Sequence, residues 1–248
     1  MTNALLLRRR GMMVAQGGGV VPVEPVDDIL TFVANTGGSS VKLSAVGAPP
    51  SVTLSYMTDG LTWNSYTIGD EIQLPYVGSW VKFKGTNAKF GSSTSAYHHF
   101  VMVGSIASHG DCTSLLNASG GSMTIPNTST YAFCSLFYGC SQMTTAPNIP
   151  VSSTGASSVF RQMFRGCSRI TTAPEIFLPT IPNSGCREMF RGCSLLNYVK
   201  MHTTSIGSSG TASWLSSVSA SGTIVCPSSL TLSNDVNGLP SGWARVDL

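Results

Sequence analysis

Charge is scarce in this chain. Of its 248 residues only 10% are Asp, Glu, Lys or Arg, against about 25% in an ordinary globular domain. Ser, Thr, Asn and Gly must therefore cover most of the surface. The formal net charge of +3 is small and scattered, which excludes the basic stripe expected of a nucleic-acid binder. The one concentrated run is Arg8-Arg9-Arg10. No apolar run approaches the roughly 20 residues of a membrane-spanning helix. No Cys-x-x-Cys pair occurs, so a zinc site of the usual spacing is not expected.

Acids are scarcest in the second half. Between Cys112 and Asn234 the only carboxylates are Glu175 and Glu188. A glycosidase needs two facing each other at about 5 to 9.5 Å. These two occupy different positions relative to the local sequence pattern, and both read as solvated surface residues. His98 and His99 are adjacent on an expected strand and so point to opposite faces, which prevents a shared metal. His109 beside Gly110-Asp111-Cys112 is too small a set for catalysis. There is no phosphate loop and no nucleophile elbow. A non-enzymatic protein without a cofactor or metal is the expectation.

What is present is repetition. Phe137-Tyr-Gly-Cys140-Ser-Gln-Met-Thr-Thr-Ala-Pro147 is followed by Phe164-Arg-Gly-Cys167-Ser-Arg-Ile-Thr-Thr-Ala-Pro174 and by Phe190-Arg-Gly-Cys193-Ser-Leu-Leu-Asn-Tyr-Val-Lys200. The cysteines lie 27 and 26 residues apart (140 to 167, 167 to 193). Such a period means stacked supersecondary units that bury one another's apolar side chains. Phe137, Cys140, Phe164, Cys167, Phe190 and Cys193 should point inward, with Met143, Ile170 and Leu196 beside them. The Gly before each Cys permits a left-handed corner, and Ala-Pro ends the extended piece. Each unit is expected to run from a helical turn (Arg161 to Phe164, Arg187 to Phe190) through the Gly-Cys corner into a short strand. The Val-Lys ending of the third copy suits a terminal repeat.

These Phe-x-Gly-Cys-Ser-x-Leu/Ile-x-x-Ala-Pro units resemble the BspA-like leucine-rich repeats of surface proteins of gut Bacteroidales and of the crAss-like phages that infect them. Trp214-Leu-Ser and Gly238-Leu-Pro-Ser-Gly-Trp243 resemble the closing segment of those proteins, and residues 29 to 118 resemble the β-rich module that precedes their repeats. The resemblance implies a leucine-rich-repeat architecture and a place either in a phage virion or on a bacterial surface.

The first 28 residues lie outside the resemblance. The order of Leu5-Leu6-Leu7 before Arg8-Arg9-Arg10 is the reverse of a secretory signal, which favours a virion protein over an exported adhesin. Gln16-Gly17-Gly18-Gly19 reads as a flexible joint and Val20 to Pro25 as a stiffer extended piece. The expectation is an anchor arm: Leu5, Leu6, Leu7, Met12 and Met13 act as apolar plugs, and Arg8, Arg9 and Arg10 pair with carboxylates of a capsid or other virion protein.

From Ile29 the apolar period becomes two. Strands are expected around Leu30 to Ala34 and Val41 to Ala45, paired across Gly37-Gly38-Ser39, then at 52–57, 64–68, 71–74, 80–84 and 97–104. Short strands with Gly and Asp turns point to an antiparallel sandwich-like module. The chain thus divides into an arm (1–28), a β-sandwich-like module (29–104), a repeat solenoid (105–226) opening with an irregular cap at 105–118, and a C-terminal cap (227–248). The fold class is mainly β with short helices.

Stacking would place Cys140, Cys167 and Cys193 within the range a disulfide tolerates, but the odd count of seven cysteines and the lack of a secretory signal point to buried free thiols acting as small apolar residues. Tyr138, Arg165 and Arg191 make the candidate ligand face. Arg165 and Arg191 share a repeat position and so form an outer ladder, and aromatic and guanidinium faces suit glycans or protein. Arg169 and the aromatics Tyr56, Trp63, Tyr66, Tyr76 and Trp80 are further candidates. Together with the resemblance, these features suggest a phage virion protein, a head fibre or capsid decoration assembled in the host cytoplasm. It would be a homo-oligomer, with a trimer favoured, that binds host-surface or mucus glycans. A tail fibre and a bacterial surface adhesin are the alternatives.

Overall fold

The period-two stretches become strands that belong to two facing sheets. The architecture comes from a computed structural model that describes residues 14–16, 19–21 and 28–248. Of the expected arm, Leu5, Leu6, Leu7, Arg8, Arg9, Arg10, Met12 and Met13 lie outside the described residues. The strands β1 (Val14–Gln16) and β2 (Gly19–Val21) pair antiparallel. Then come β3 (Leu30–Ala34), β4 (Ser39–Val46), β5 (Leu54–Met57), β6 (Asn64–Tyr66), β7 (Ile72–Leu74), β8 (Trp80–Gly85), β9 (Gly91–Ser93), β10 (Ala96–Val103) and β11 (Ile106–His109). The second half supplies β12 (Met123–Ile125), β13 (Met143–Thr145), β14 (Val151–Thr154), β15 (Thr180–Ile181), β16 (Tyr198–Lys200), β17 (Ser205–Ile206), β18 (Gly222–Cys226) and β19 (Trp243–Asp247).

A four-stranded sheet of order β7-β4-β10-β9 faces a six-stranded one of order β13-β11-β3-β8-β5-β6. Rings from both meet between them, with Phe32 of β3 4.8 Å from Phe100 of β10 and Phe83 of β8 5.4 Å from it. The expected hairpin of β3 with β4 does not form. Both edges of β3 are taken, by β8 and by β11, so the chain crosses at Gly37-Gly38 to the other sheet, where β4 pairs with β10 and β7. Backbone bonds from Gly38 N to Pro75 O (3.0 Å) and from Gly78 N to Ala34 O (2.8 Å) hold that crossing.

The sandwich runs into the solenoid without a break. Segment 105–118, expected as an irregular cap, instead supplies β11 to the six-stranded sheet. It also supplies a short 3-10 turn at Cys112–Leu115, locked by bonds from Leu30 N to Ser114 Oγ (3.0 Å) and from Ser114 Oγ to Phe83 O (3.1 Å). The β11 strand then pairs in parallel with β13 of the first coil. One apolar core extends from Leu30 to Trp243.

Each coil carries a ribbon of turns where helices are expected. The left-handed conformation recurs at every fourth residue: Tyr131, Ser135 and Gly139, then Ser158, Gln162 and Gly166, then Ser184, Glu188 and Gly192, then Ser209, Ser213 and Ser217, with φ between 52° and 78°. A left-handed residue breaks a helix, so Arg161 to Phe164 and Arg187 to Phe190 are not helical. Among the described residues the only helical element is the 3-10 turn. Alternate N–H groups divide their bonds. Cys134, Tyr138 and Cys140 donate three residues back, to Tyr131, Ser135 and Phe137, whereas Phe133, Ser135, Phe137 and Gly139 donate at 2.8–2.9 Å to carbonyls of the next coil. The same scheme joins the second coil to the third and the third to the fourth. Most backbone donors of the ribbon thereby find a partner, as burial requires.

The repeat residues line this ribbon as expected. Phe137, Phe164, Phe190, Cys140, Cys167 and Cys193 are all buried. The rings of Phe100, Phe137, Phe164 and Phe190 stack at 5.6, 5.2 and 5.7 Å with interplanar angles of 15° or less, so the ladder starts on β10 of the sandwich. Each Cys thiol donates to the carbonyl one layer back: Cys140 to Phe100, Cys167 to Phe137 and Cys193 to Phe164, at 3.0–3.1 Å. All seven cysteines are free and buried. Burial pushes the thiols up, to about 11 for Cys134 and about 12 for Cys186 and Cys193, so they stay protonated. The fourth coil has Leu215 at the Phe position, two residues after left-handed Ser213, and Trp214 tilts against Phe190 at 6.3 Å to close the ladder.

Candidate functional site

The ribbon turns one row of side chains outward, and the coil period puts those rows in register. Tyr138, Arg165 and Arg191 each follow a buried Phe and precede a left-handed Gly. They rise along one face as the ladder position demands. The Arg165 guanidinium lies 5.6 Å from the centre of the Tyr138 ring. Tyr97 of β10 sits 6.2 Å from Tyr138 and 5.7 Å from His99, whose Nδ1 is 3.3 Å from the Tyr138 carbonyl. The face thus begins on the sandwich with Tyr97 and His99 and continues along the solenoid.

Glu188 is the hub of this face and corrects the sequence reading. It is not a solvated residue in a helical turn. It is left-handed, at φ 55°, and only 9% exposed. Its Oε2 accepts from Arg165 at 2.6 Å, from Gln162 Nε2 at 3.2 Å and from Arg191 at 3.4 Å, and Arg187 Nε lies 3.7 Å from Oε1. Burial pushes the carboxyl up, but the Gln162 amide and the charges of Arg165, Arg191 and Arg161 outweigh it, leaving the group below the ordinary carboxylate range. Gln162 in turn faces Ser135 at 3.5 Å. Ser135, Gln162 and Glu188 share one repeat position, two residues before each Phe, so the register gives a signal that they stack. Composition alone hides it.

The surroundings leave positive charge in surplus. Among the described residues, Arg165, Arg187 and Arg191 have Glu188 as their one carboxylate partner, with Arg161 close enough to act on it. The side chains of Arg165, Arg187 and Arg191 remain 30%, 41% and 45% exposed. This arrangement can bind an anion or stack against a ring. Nothing in it forms a nucleophile–base pair.

The other candidates divide. Tyr66 and Trp80 are core, with Tyr66 Oη donating to Asp70 O at 2.6 Å and accepting from Leu43 N at 2.8 Å. Trp63 carries Lys84 Nζ 4.0 Å over its ring, and Tyr76 is exposed. His98 is buried against Phe90 while its neighbour His99 faces Tyr138, the opposite orientations expected of adjacent strand residues. Glu175 lies on another part of the coil, bonded to Lys200 at 2.8 Å and His202 at 2.6 Å. Among the described residues no group of three or more His, Cys, Asp or Glu is placed to hold a metal, and no helix is long and apolar enough to cross a membrane. No family model, curated protein or solved structure matches the chain.

Proposed function

We propose that the protein is a non-enzymatic structural and binding component of a phage virion, a head fibre or capsid decoration. Its first residues dock it to a capsid or other virion protein, and its sandwich and leucine-rich-repeat solenoid project outward, as a homo-oligomer. The face running from Tyr97 through Tyr138 to Arg165 and Arg191 contacts host-surface or mucus glycans.

The observation that carries the binding part is the in-register arginine row on a ribbon held from coil to coil by backbone bonds. Such a scaffold presents side chains without having to rearrange, and identical contacts on several copies add by avidity. The placement in a virion rests on the likeness of the Phe-x-Gly-Cys-Ser units to the repeats of crAss-like phage proteins and on the apolar and arginine content of the first 14 residues.

Deleting Met1 to Val14 tests the docking part. Truncated protein is expected to accumulate folded in infected cells and to be missing from purified particles, because the core among the described residues begins at Ile29. Incorporation at the normal copy number would overturn the anchor.

A further inference from the structure

Parallel pairing around the coils is interrupted at one wall. The stretch 172–176 bonds to the third coil through Ile176 N to Lys200 O and His202 N to Ile176 O, at 3.0 and 2.8 Å, and Asn148 bonds back to Gly110 at 2.8 Å. Between 141–151 and 168–180 no backbone bond forms among the described residues. Pro174 has no N–H to donate, and neither has Pro150. The two coils, joined at their ribbons, part here around a cleft of about 250 Å³ lined by Asp111, Asn148, Ile149, Pro150, Glu175 and Phe177.

The cleft is furnished in a specific way. Phe177 is 45% exposed, and it is held parallel to the His202 imidazole at 5.2 Å and 7°. His202 Nε2 bonds Glu175 Oε1 at 2.6 Å, and Lys200 Nζ reaches the same oxygen at 2.8 Å. The ring is therefore braced before any ligand arrives. Both bonds fall on Oε1, so Glu175 Oε2 accepts from no described residue. Asn148 gives its amide N–H to Asp111 at 3.1 Å, which leaves its carbonyl oxygen open as well. An aromatic face, two apolar walls and two open acceptors make a few-polar, mostly apolar site. Its volume is below the roughly 300 to 1,000 Å³ of drug-sized pockets, which suits one ring.

We infer that this cleft is a binding subsite for a single neutral pyranose, free or at the end of a glycan, with the sugar's C–H face on Phe177 and its hydroxyls donating to Glu175 and Asn148. The polarised C–H groups meet the negative face of the ring. A sulfated or carboxylated sugar is disfavoured by the two acceptors. The subsite stands apart from the arginine face, and its test does not depend on that face.

Saturation-transfer NMR on the full chain with methyl glycosides of glucose, galactose, mannose, fucose and N-acetylglucosamine tests it, with lactose and chitobiose added to separate a free sugar from a chain end. Transfer to the ring protons of at least one probe is expected. Phe177→Ala should abolish it with at most a small fall in melting temperature, because the ring is nearly half exposed. Glu175→Gln should weaken binding by about tenfold, and the Arg165→Gln, Arg191→Gln double variant should leave it intact. Absence of transfer from every probe, or transfer that persists in Phe177→Ala, would overturn the inference.

Discussion

At the residue scale, Glu188 shows how a chain poor in charge uses the charge it has. It carries a left-handed backbone, sits almost buried, and gathers Arg165, Arg187 and Arg191 around one carboxylate. Its carboxyl is held below the ordinary range in the folded protein. The resulting stabilisation is present above the unfolded value of about 4.3 and is lost as the pH falls through the folded one. Glu188→Gln keeps the shape and removes the charge. At pH 7 it should lower stability by about 1 kcal/mol or less, since the arginines are partly solvated. The gap to the unsubstituted protein should close as the pH approaches 3. Denaturant midpoints of both proteins at the two pH values check this, and equal midpoints at pH 7 would show that the ion cluster contributes nothing.

At the scale of the element, the turn ribbon depends on left-handed residues in register. Gly139, Gly166 and Gly192 hold one such position in the first three coils, and Ser217 holds it in the fourth at φ 60°. A non-Gly residue there costs about 1 to 2 kcal/mol. Ser217 is exposed, so Ser217→Gly should raise the thermal midpoint. Gly166→Ala should lower it through backbone strain at φ 78°, since the added Cβ would make only an ordinary contact with the Gly139 Cα at 3.6 Å. Calorimetry of both variants measures the two signs, and a fall for Ser217→Gly would mean that the serine hydroxyl outweighs the strain. This element also marks where sequence reading succeeds and where it stops. The Phe, Cys and Gly positions are legible because a 26- or 27-residue period repeats them. The ribbon is not, since Gln162 and Glu188 are good helix formers and only the stacked neighbour makes left-handed turns preferable. The fourth coil is hidden for a related reason: buried Leu215 and half-buried Val218 fill the Phe and Cys positions with apolar residues that lack their identity. The face itself was half legible, with Arg165 and Arg191 found from register and Glu188 missed because acids are ordinarily solvated. The partners of β3 and β4 are not legible, because alternation reveals strands but not which sheet receives them.

For the whole molecule, the sandwich serves as the first layer of the stack. Phe100 begins the ring ladder, β11 begins the parallel pairing, and the core is shared from Leu30 to Trp243. A scaffold joined in this way holds the arginine face and the Phe177 cleft at fixed positions relative to each other, which suits a protein displayed from a particle to a host surface. That placement is decided by quantitative mass spectrometry of density-purified phage particles beside the outer-membrane fraction of the same host. We predict stoichiometric recovery with the particles, in fixed ratio to the major capsid protein. Recovery in the membrane fraction alone would contradict the virion assignment and favour a bacterial adhesin.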